Sequence, residues 1–192
     1  TAGVGSAVGA VRADLRAGTC LQTGRVFDLA VVGQGFFRVE LPDGRIACTR
    51  DGSFSLDAAG NLVTAQGQRV SFPALPLGQQ EIKISPQGQV SAVEPNGDQV
   101  AVGTVSLAYF NNPQGLEQLG VNLLLATEAS GEAENRASGN ATKLMQGYLE
   151  SSNVDLSEEL VNLLASQRAF ELNSRALRTS DEMWSIANQI RR

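Results

Sequence analysis

Residues 35–49 read GFFRVELPDGRIACT. Apolar and charged side chains alternate from Phe37 to Leu41, so that one face of the segment is apolar and the other carries charge. The Asp43-Gly44 pair that follows is a strong hairpin signal, because glycine tolerates the positive φ that a tight turn needs. A second short strand follows the turn. The stretch therefore predicts an antiparallel β-hairpin.

The same succession of short strands and turns recurs through residues 25–126. Proline at positions 73 and 76 interrupts it, since proline cannot donate a hydrogen bond to a β-ladder. Many short strands with regular turns predict an antiparallel β barrel or sandwich. Besides the first hairpin, the predicted strands are 28–32, 53–56, 62–64, 69–72, 81–85, 89–93 and a longer one at 99–110.

The segments on either side of the β domain differ from it in composition. Residues 1–24 are rich in glycine and alanine, and each glycine weakens a helix by about 1 kcal/mol relative to alanine. Residues 127–153 begin with a polar stretch rich in glycine, serine and asparagine, which is typical of a linker. The predicted organisation is an extended connector at 1–24, an antiparallel β domain at 25–126, a linker at 127–153 and a long helix at 154–192.

Residues 154–192 contain neither glycine nor proline and predict a single helix. Asp155 or Ser157 can cap its start, and Glu158 and Glu159 suit a first turn. A helix of about 36 residues would be roughly 54 Å long. That is far longer than a small β domain needs as a packing partner.

The predicted helix carries two apolar stripes on nearly opposite faces when side chains are placed at about 100° per residue. A surface helix of a monomer needs one such stripe, so two stripes require partners on two sides. We call the first the heptad stripe and the second the opposite stripe. The heptad stripe is Leu156, Leu163, Phe170, Leu177 and Trp184; the opposite stripe is Val161, Ala165, Ala169, Leu172, Ala176, Met183, Ala187 and Ile190.

The source of those partners follows from what the rest of the chain offers. Residues 1–24 are too short and too rich in glycine to form a long partner helix, so we expect partners from other subunits or from sequence outside this chain. Packing within one chain remains the alternative for any single residue. The predicted assembly residues are Leu156, Leu163, Phe170, Leu172, Ala176, Leu177, Met183, Trp184 and Ile190.

A simple coiled-coil dimer is a weaker interpretation of the helix. Such a dimer prefers apolar residues at both the a and d positions of each heptad. With the heptad stripe at one of these positions, the other column is polar after Leu160. Its members are Gln167, Ser174, Asp181 and Asn188.

The composition narrows the classes of function. The net charge is −5 and no lysine or arginine cluster occurs, which argues against nucleic-acid binding. No apolar run approaches the length of a membrane span. The chain has no histidine, which removes the commonest general base and metal ligand. Cys20 and Cys48 cannot form a disulfide scaffold, and the sequence leaves open whether they pair.

Enzymatic chemistry finds little support in the motifs. Asp43, Asp51 and Asp57 could form a carboxylate cluster, but the first and last lie in predicted turns, where aspartate is favoured for local backbone hydrogen bonds. The glycines at 33 and 35 lack the third glycine of a dinucleotide fingerprint. Residues 57–61 lack the alternating ligands of a calcium loop. We therefore predict no catalytic residue, no metal site and no cofactor.

Several segments together resemble a known family, the flagellar basal-body rod and hook proteins. DLAVVGQGFF at 28–37 resembles the start of the family's β domain, and the run 49–67 resembles the hairpins that follow it. QGYLESSNVD at 146–155 resembles the lead-in to the family's C-terminal helix. The segments 158–161, 167–171 and 173–176 resemble that helix itself. The match runs in order through nearly the whole chain.

The resemblance implies a mechanical role. Family members stack helically into a tube that transmits motor torque, next to other rod and hook proteins and the basal-body rings. They begin with a helical segment that packs with the C-terminal helix, so we expect this chain to be a fragment. The resemblance also implies export through the flagellar type III pathway without a cleaved signal peptide.

Within the family, the length and short central domain resemble a distal rod subunit most closely, with a proximal rod subunit as the alternative. A hook protein usually carries extra domains. An interpretation from another class is a secreted β-rich binding module with a helical stalk, such as an adhesin. That interpretation predicts strict heptads, against which the polar column of the helix counts.

Overall fold

The computed structural model describes residues 14–75, 81–93, 98–120, 122–139 and 142–190. The chain divides into two compact units, Thr1–Asn153 and Val154–Arg192. The first is built almost entirely from short β-strands and the second is one long helix. The predicted fold class, mainly β with a long C-terminal helix, is confirmed. The described strands form several sheets and no closed barrel.

Sixteen short strands lie in the described part of the first unit, which we call the β unit. The first eight are β1 Cys20–Gln22, β2 Leu29–Val32, β3 Phe37–Glu40, β4 Ile46–Thr49, β5 Ser55–Leu56, β6 Leu62–Val63, β7 Arg69–Val70 and β8 Glu81–Ile84. The others are β9 Gln89–Val93, β10 Gln99–Thr104, β11 Ser106–Tyr109, β12 Glu117–Gln118, β13 Leu124–Leu125, β14 Glu134–Ala137, β15 Lys143–Gln146 and β16 Tyr148–Glu150. A short 3₁₀ helix covers Pro113–Gly115.

The largest sheet has seven strands in the order β12-β13-β4-β3-β7-β6-β5. At its centre is the predicted hairpin of β3 and β4, which pair antiparallel. Its turn has Gly44 at φ +82°, and the Leu41 amide donates to the Arg45 carbonyl oxygen at 2.9 Å. Phe37, Val39 and Leu41 are buried, which confirms the face that the alternation predicts.

Smaller sheets complete the β unit. Strands β10, β9 and β8 form a three-stranded antiparallel sheet in that order. Three two-stranded pairs join distant parts of the sequence, namely β2 with β15, β11 with β14 and β1 with β16. In each pair, one partner comes from the last quarter of the β unit.

One apolar cluster connects these sheets. It contains Leu29 of β2, Phe37 of β3, Leu107 of β11 and Leu144 of β15, all fully buried. Phe37 packs edge-on against Phe54, with ring centroids 5.1 Å apart. Each such buried side chain stabilises the folded state by about 1.5–3 kcal/mol. The core therefore holds together strands that belong to different sheets.

The predicted linker at 127–153 is not one in the structure, which has three strands there. Strand β14 pairs with β11, β15 with β2, and β16 with β1. Every residue of β14 is exposed, so its composition resembles that of a linker although its backbone is paired. Pairing through backbone groups leaves no apolar signal on an exposed edge strand.

Two further boundaries differ from the prediction. Residues 20–22, assigned to the connector, form β1, while 1–13 lie outside the described residues. The single strand predicted at 99–110 is two strands, β10 and β11, which pair with different partners. Val105 separates them, and its amide donates to the Gly88 carbonyl oxygen at 2.8 Å.

The second unit is helix α1, Leu156–Ile190, of 35 residues. At 1.5 Å per residue it is about 52 Å long. Glu158 and Glu159 lie in its first turn, as predicted. Among the residues that the structure describes, no helix combines the length and apolar character needed to cross a membrane.

Candidate assembly surface

Helix α1 presents the heptad stripe to solvent. Its five members are between 53% and 75% exposed, with Phe170 at 74% and Trp184 at 70%. The stripe drifts slowly around the helix, because seven residues fall about 20° short of two full turns. Large exposed apolar surface of this kind marks an interaction site.

The opposite stripe is exposed as well. Its larger members, Val161, Leu172 and Met183, are 63–66% exposed, and Ala176 is exposed. Ile190 is the last residue of α1, and its side chain lies outside the described residues. The assignment of these residues to an assembly interface stays a prediction.

Charged side chains occupy one of the two sectors between the stripes. They are exposed on the helix and carry both signs. Charges of both signs keep such a face soluble, while the apolar faces on either side of it are free to pack. The members of this sector are Arg168, Glu171, Arg175, Arg178 and Glu182.

The start of α1 is fixed by Asp155, one of the two predicted caps. Its Oδ1 accepts hydrogen bonds from the Ser157 amide at 2.8 Å and the Glu158 amide at 3.4 Å. The same two bonds, that from Ser157 first, hold the pKa of Asp155 below its ordinary value. The cap satisfies amides that a helix start otherwise leaves unpaired.

The first and last strands that the structure describes in the β unit lie side by side. Strand β1, near the start of the described residues, pairs with β16, the last strand before α1. Beyond this pair, the Ser151 amide donates to the Thr19 carbonyl oxygen at 2.8 Å. A Cβ on Gly18 would lie 1.8 Å from the Ser151 carbonyl oxygen. The two chain segments therefore touch through their backbones.

A largely buried ion pair lies beside this crossing. Arg50 Nε donates to Glu150 Oε2 at 3.0 Å, and the two side chains are only 17% and 12% exposed. Arg50 also donates to backbone carbonyl oxygens of β2 and of the turn that follows it. Its guanidinium carbon lies 5.7 Å from the centre of the Phe36 ring. We call Arg50 and Glu150 the junction pair.

Next to the junction pair, a surface groove is formed by two adjoining cavities of about 420 and 480 Å³. Its lining mixes apolar rings with charges of both signs. Residues that line both cavities are Asp14, Leu15, Arg16, Phe36 and Arg50. Asn153 borders the groove and donates to the Arg16 carbonyl oxygen at 3.0 Å.

Gln146 fastens the last strands to the rest of the β unit. Its Nε2 donates to the Ile82 carbonyl oxygen at 2.8 Å and to that of Val26 at 3.0 Å. Its Oε1 accepts from the Ile84 amide at 2.9 Å. One side-chain amide thus joins β15 to β8 and to the segment before β2.

The aspartates considered for catalysis serve the backbone instead. Asp43 accepts from the Arg45 amide, and Asp57 accepts from the amides of Ala59 and Asn61. These bonds lower the pKa of both carboxyls. Within the described ranges, no group of three or more carboxylate or cysteine side chains could hold a metal ion.

The two cysteines are free. Cys48 is buried in β4, and burial raises the pKa of its thiol to about 11, against a smaller opposing effect of Arg38. A thiol with so high a pKa is a weak nucleophile at neutral pH, because the thiolate is the reactive form.

Reasoning from sequence did not assign roles to Arg50, Gln146 and Glu150. All three lie in segments that carry the family resemblance, at 49–67 and 146–155. The one available signal was that each of these residues is polar and lies in or beside a predicted or family-like segment. Nothing in local spacing could indicate that positions 50 and 150 meet, since 100 residues separate them.

Comparison with known proteins gives two family matches. Residues 30–92 match the model of the flagellar hook protein FlgE/F/G D1 domain. Residues 145–190 match the model of the flagellar basal body rod FlgEFG protein C-terminal region. The two matches contain most of the segments on which the family resemblance depends.

Curated relatives extend the likeness along the chain. The flagellar basal-body rod protein FlgG of Borreliella burgdorferi is 39% identical over 99% of this chain and 74% of its own length. FlgG of Buchnera aphidicola subsp. Acyrthosiphon pisum is 45% identical over 85% of this chain and 64% of its own length. The flagellar hook protein FlgE of Salmonella typhimurium is 39% identical, but over only 57% of this chain and 28% of its own length.

Proposed function

The chain belongs to the family of flagellar basal-body rod proteins, and from that membership we propose that it is a structural subunit of the rod. The FlgG relatives match nearly the whole chain, whereas the hook relative matches little more than half of it. This difference favours a rod subunit over a hook subunit. Our specific proposal is the distal rod, with the proximal rod as the alternative within the family.

The observation that carries the proposal is the exposure of both apolar stripes on α1. Burying one large apolar side chain is worth about 1.5–3 kcal/mol, so a helix with two exposed stripes gains stability by packing on two sides. A helical homopolymer supplies such partners repeatedly. We therefore assign assembly to α1, through the heptad and opposite stripes.

In this proposal the protein acts mechanically and is not an enzyme. Subunits stack into a tube that transmits motor torque, in contact with neighbouring rod and hook proteins and the surrounding rings. The tube spans the periplasm, and its subunits are exported without a cleaved signal peptide. The proposal requires no cofactor and no nucleic acid.

Introducing a negative charge into the heptad stripe tests the role of α1. Phe170→Asp or Leu177→Asp, placed in the complete protein in a motile host, is expected to abolish rod incorporation, because aspartate cannot be buried unpaired between helices. The β unit should stay folded, since both positions lie in the other compact unit. Incorporation is measured by immunoblotting of purified basal bodies, and motility on soft agar.

Leu177→Met is the matched control, because it keeps an apolar side chain of similar volume at the same position. It should leave incorporation and motility close to wild type. Normal motility of both aspartate variants would exclude α1 as the assembly element.

A further inference from the structure

The junction pair joins four segments that lie far apart in the sequence. Arg50 follows β4 and donates to Gly35 O at 3.2 Å, Val31 O at 3.2 Å and Gly33 O at 3.0 Å. Its Nε bonds Glu150, at the end of β16. A guanidinium suits this position because its donors lie in a rigid planar fork.

Glu150 connects the pair to the incoming chain. Its Oε2 is bound by Arg50, and its Oε1 accepts a hydrogen bond from the Gly18 amide at 2.9 Å. Both carboxylate oxygens are therefore used, one by each segment. The carboxylate lies between the segment that leads into β1 and the rigid sheet around β4.

The backbone ladder between β1 and β16 is short, with a few further bonds just beyond it, such as that from the Ser151 amide to the Thr19 carbonyl oxygen. They form a two-stranded sheet of three residues each. Isolated two-stranded pairs are at best marginally stable in water. A charge-assisted network in a largely buried position adds directional bonds that the short ladder lacks.

We propose that Arg50 and Glu150 form a mechanical clamp that fixes β1 and the segment just before it against β16, and that assembly requires this clamp. The proposal rests on the proposed function of the chain as a rod subunit. Only four residues lie between Glu150 and Asp155, the cap of α1. Strand β16 is therefore the last strand before α1 along the chain. Both members of the clamp are positioning residues.

A double-mutant cycle in the complete protein tests the clamp locally. The variants are Glu150→Gln, Arg50→Gln and the two combined, and the readout is amide hydrogen exchange of β1 and β16, followed by mass spectrometry. Each single variant should speed this exchange at least tenfold, while exchange in β3 and β4 stays near wild type. The combined variant should add little to either, since both changes break the same pair.

Asp43→Asn is the matched control. It also removes one negative charge from a carboxylate paired with an arginine, but Asp43 and Arg45 are 46% and 58% exposed. Exposed pairs contribute little to stability. Exchange of β1 and β16 should be unchanged in this variant, as should its assembly.

Arg50→Lys distinguishes a role in holding β1 against β16 from a role in the stability of the whole β unit. Lysine keeps the charge but loses the planar fork, so exchange of β1 and β16 should still accelerate while the melting temperature of the β unit stays near that of wild type. Unchanged exchange in Glu150→Gln, or equal acceleration in all strands of the β unit in both variants, would overturn the proposal.

The assembly readout distinguishes this proposal from the proposed function. Glu150→Gln should reduce rod incorporation and swimming speed, most clearly in viscous medium, where the torque is highest. Accelerated exchange with wild-type swimming under viscous load would contradict the clamp, and would leave the rod assignment intact. Wild-type motility of Phe170→Asp and Leu177→Asp would instead contradict the role of α1, whatever the exchange of β1 and β16 shows.

Discussion

At the scale of single residues, a few polar side chains connect segments that are distant in the sequence. Arg50, Gln146 and Glu150 each bond backbone or side-chain groups far away in the sequence. Hydrophobic alternation predicted the buried face of β3, because burial leaves a periodic signal. A polar clamp has no period, so its members cannot be found from spacing alone.

Close backbone contacts at the residue scale give a testable prediction at Gly52. A Cβ there would lie 1.7 Å from the Leu29 carbonyl oxygen, which is backbone and cannot turn away. Gly52→Ala should therefore destabilise the β unit by about 1–3 kcal/mol, as overpacking does. Urea denaturation followed by circular dichroism measures the free energy of unfolding.

Gly139→Ala provides the comparison for Gly52→Ala. A Cβ at Gly139 would meet nothing within 4 Å. The change in unfolding free energy should stay within about 0.5 kcal/mol, as for an ordinary surface substitution. Equal changes in unfolding free energy for the two substitutions would contradict the close approach of Gly52 to the Leu29 carbonyl oxygen.

At the scale of elements, the sequence predicted whether a segment is helix or strand better than it predicted which strands pair. The central hairpin follows from a clear period of two residues, and the long helix follows from a long run without glycine or proline. Strand β14 did not follow, because all four of its residues are exposed and polar or small. Likewise, the break at Val105 depends on a hydrogen bond to Gly88, which only the folded topology provides.

The helix cap gives a prediction at this scale, with a defined pH dependence. The folded pKa of Asp155 is lowered from 3.8 by the Ser157 and Glu158 amides. The cap therefore stabilises the start of α1 above pH 3.8, and this contribution is lost as the pH falls through the lowered pKa. Protection of the amides at 156–160 in the complete protein, measured against their intrinsic exchange rates at each pH, should fall across that acidic window.

Substitutions at the cap separate the hydrogen bond from the charge. Asp155→Ala should accelerate first-turn exchange at neutral pH, whereas Asp155→Ser, which keeps an acceptor, should change it less. Asp181→Ala, which alters an exposed aspartate in the middle of α1, should leave the first turn unchanged. First-turn exchange that is the same in Asp155→Ala and wild type would refute the cap.

At the scale of the whole molecule, the sequence separated a β unit from a helix with two apolar faces. The family matches at 30–92 and 145–190 fall on these two parts. Our proposal assigns assembly to α1, because large apolar side chains are exposed on two faces of this helix. The sequence could not predict which molecules cover each face. An apolar stripe requires an apolar partner surface, but many proteins could provide one.

The most direct measurement is a cryo-electron microscopy reconstruction of isolated rods at side-chain resolution. If α1 carries assembly through both stripes, Phe170 of the heptad stripe and Leu172 of the opposite stripe are both buried against helices in the assembled tube. At least one of these stripes should contact a second copy of the chain. A rod in which either stripe of α1 faces solvent, or in which neither contacts another subunit, would contradict this role of α1.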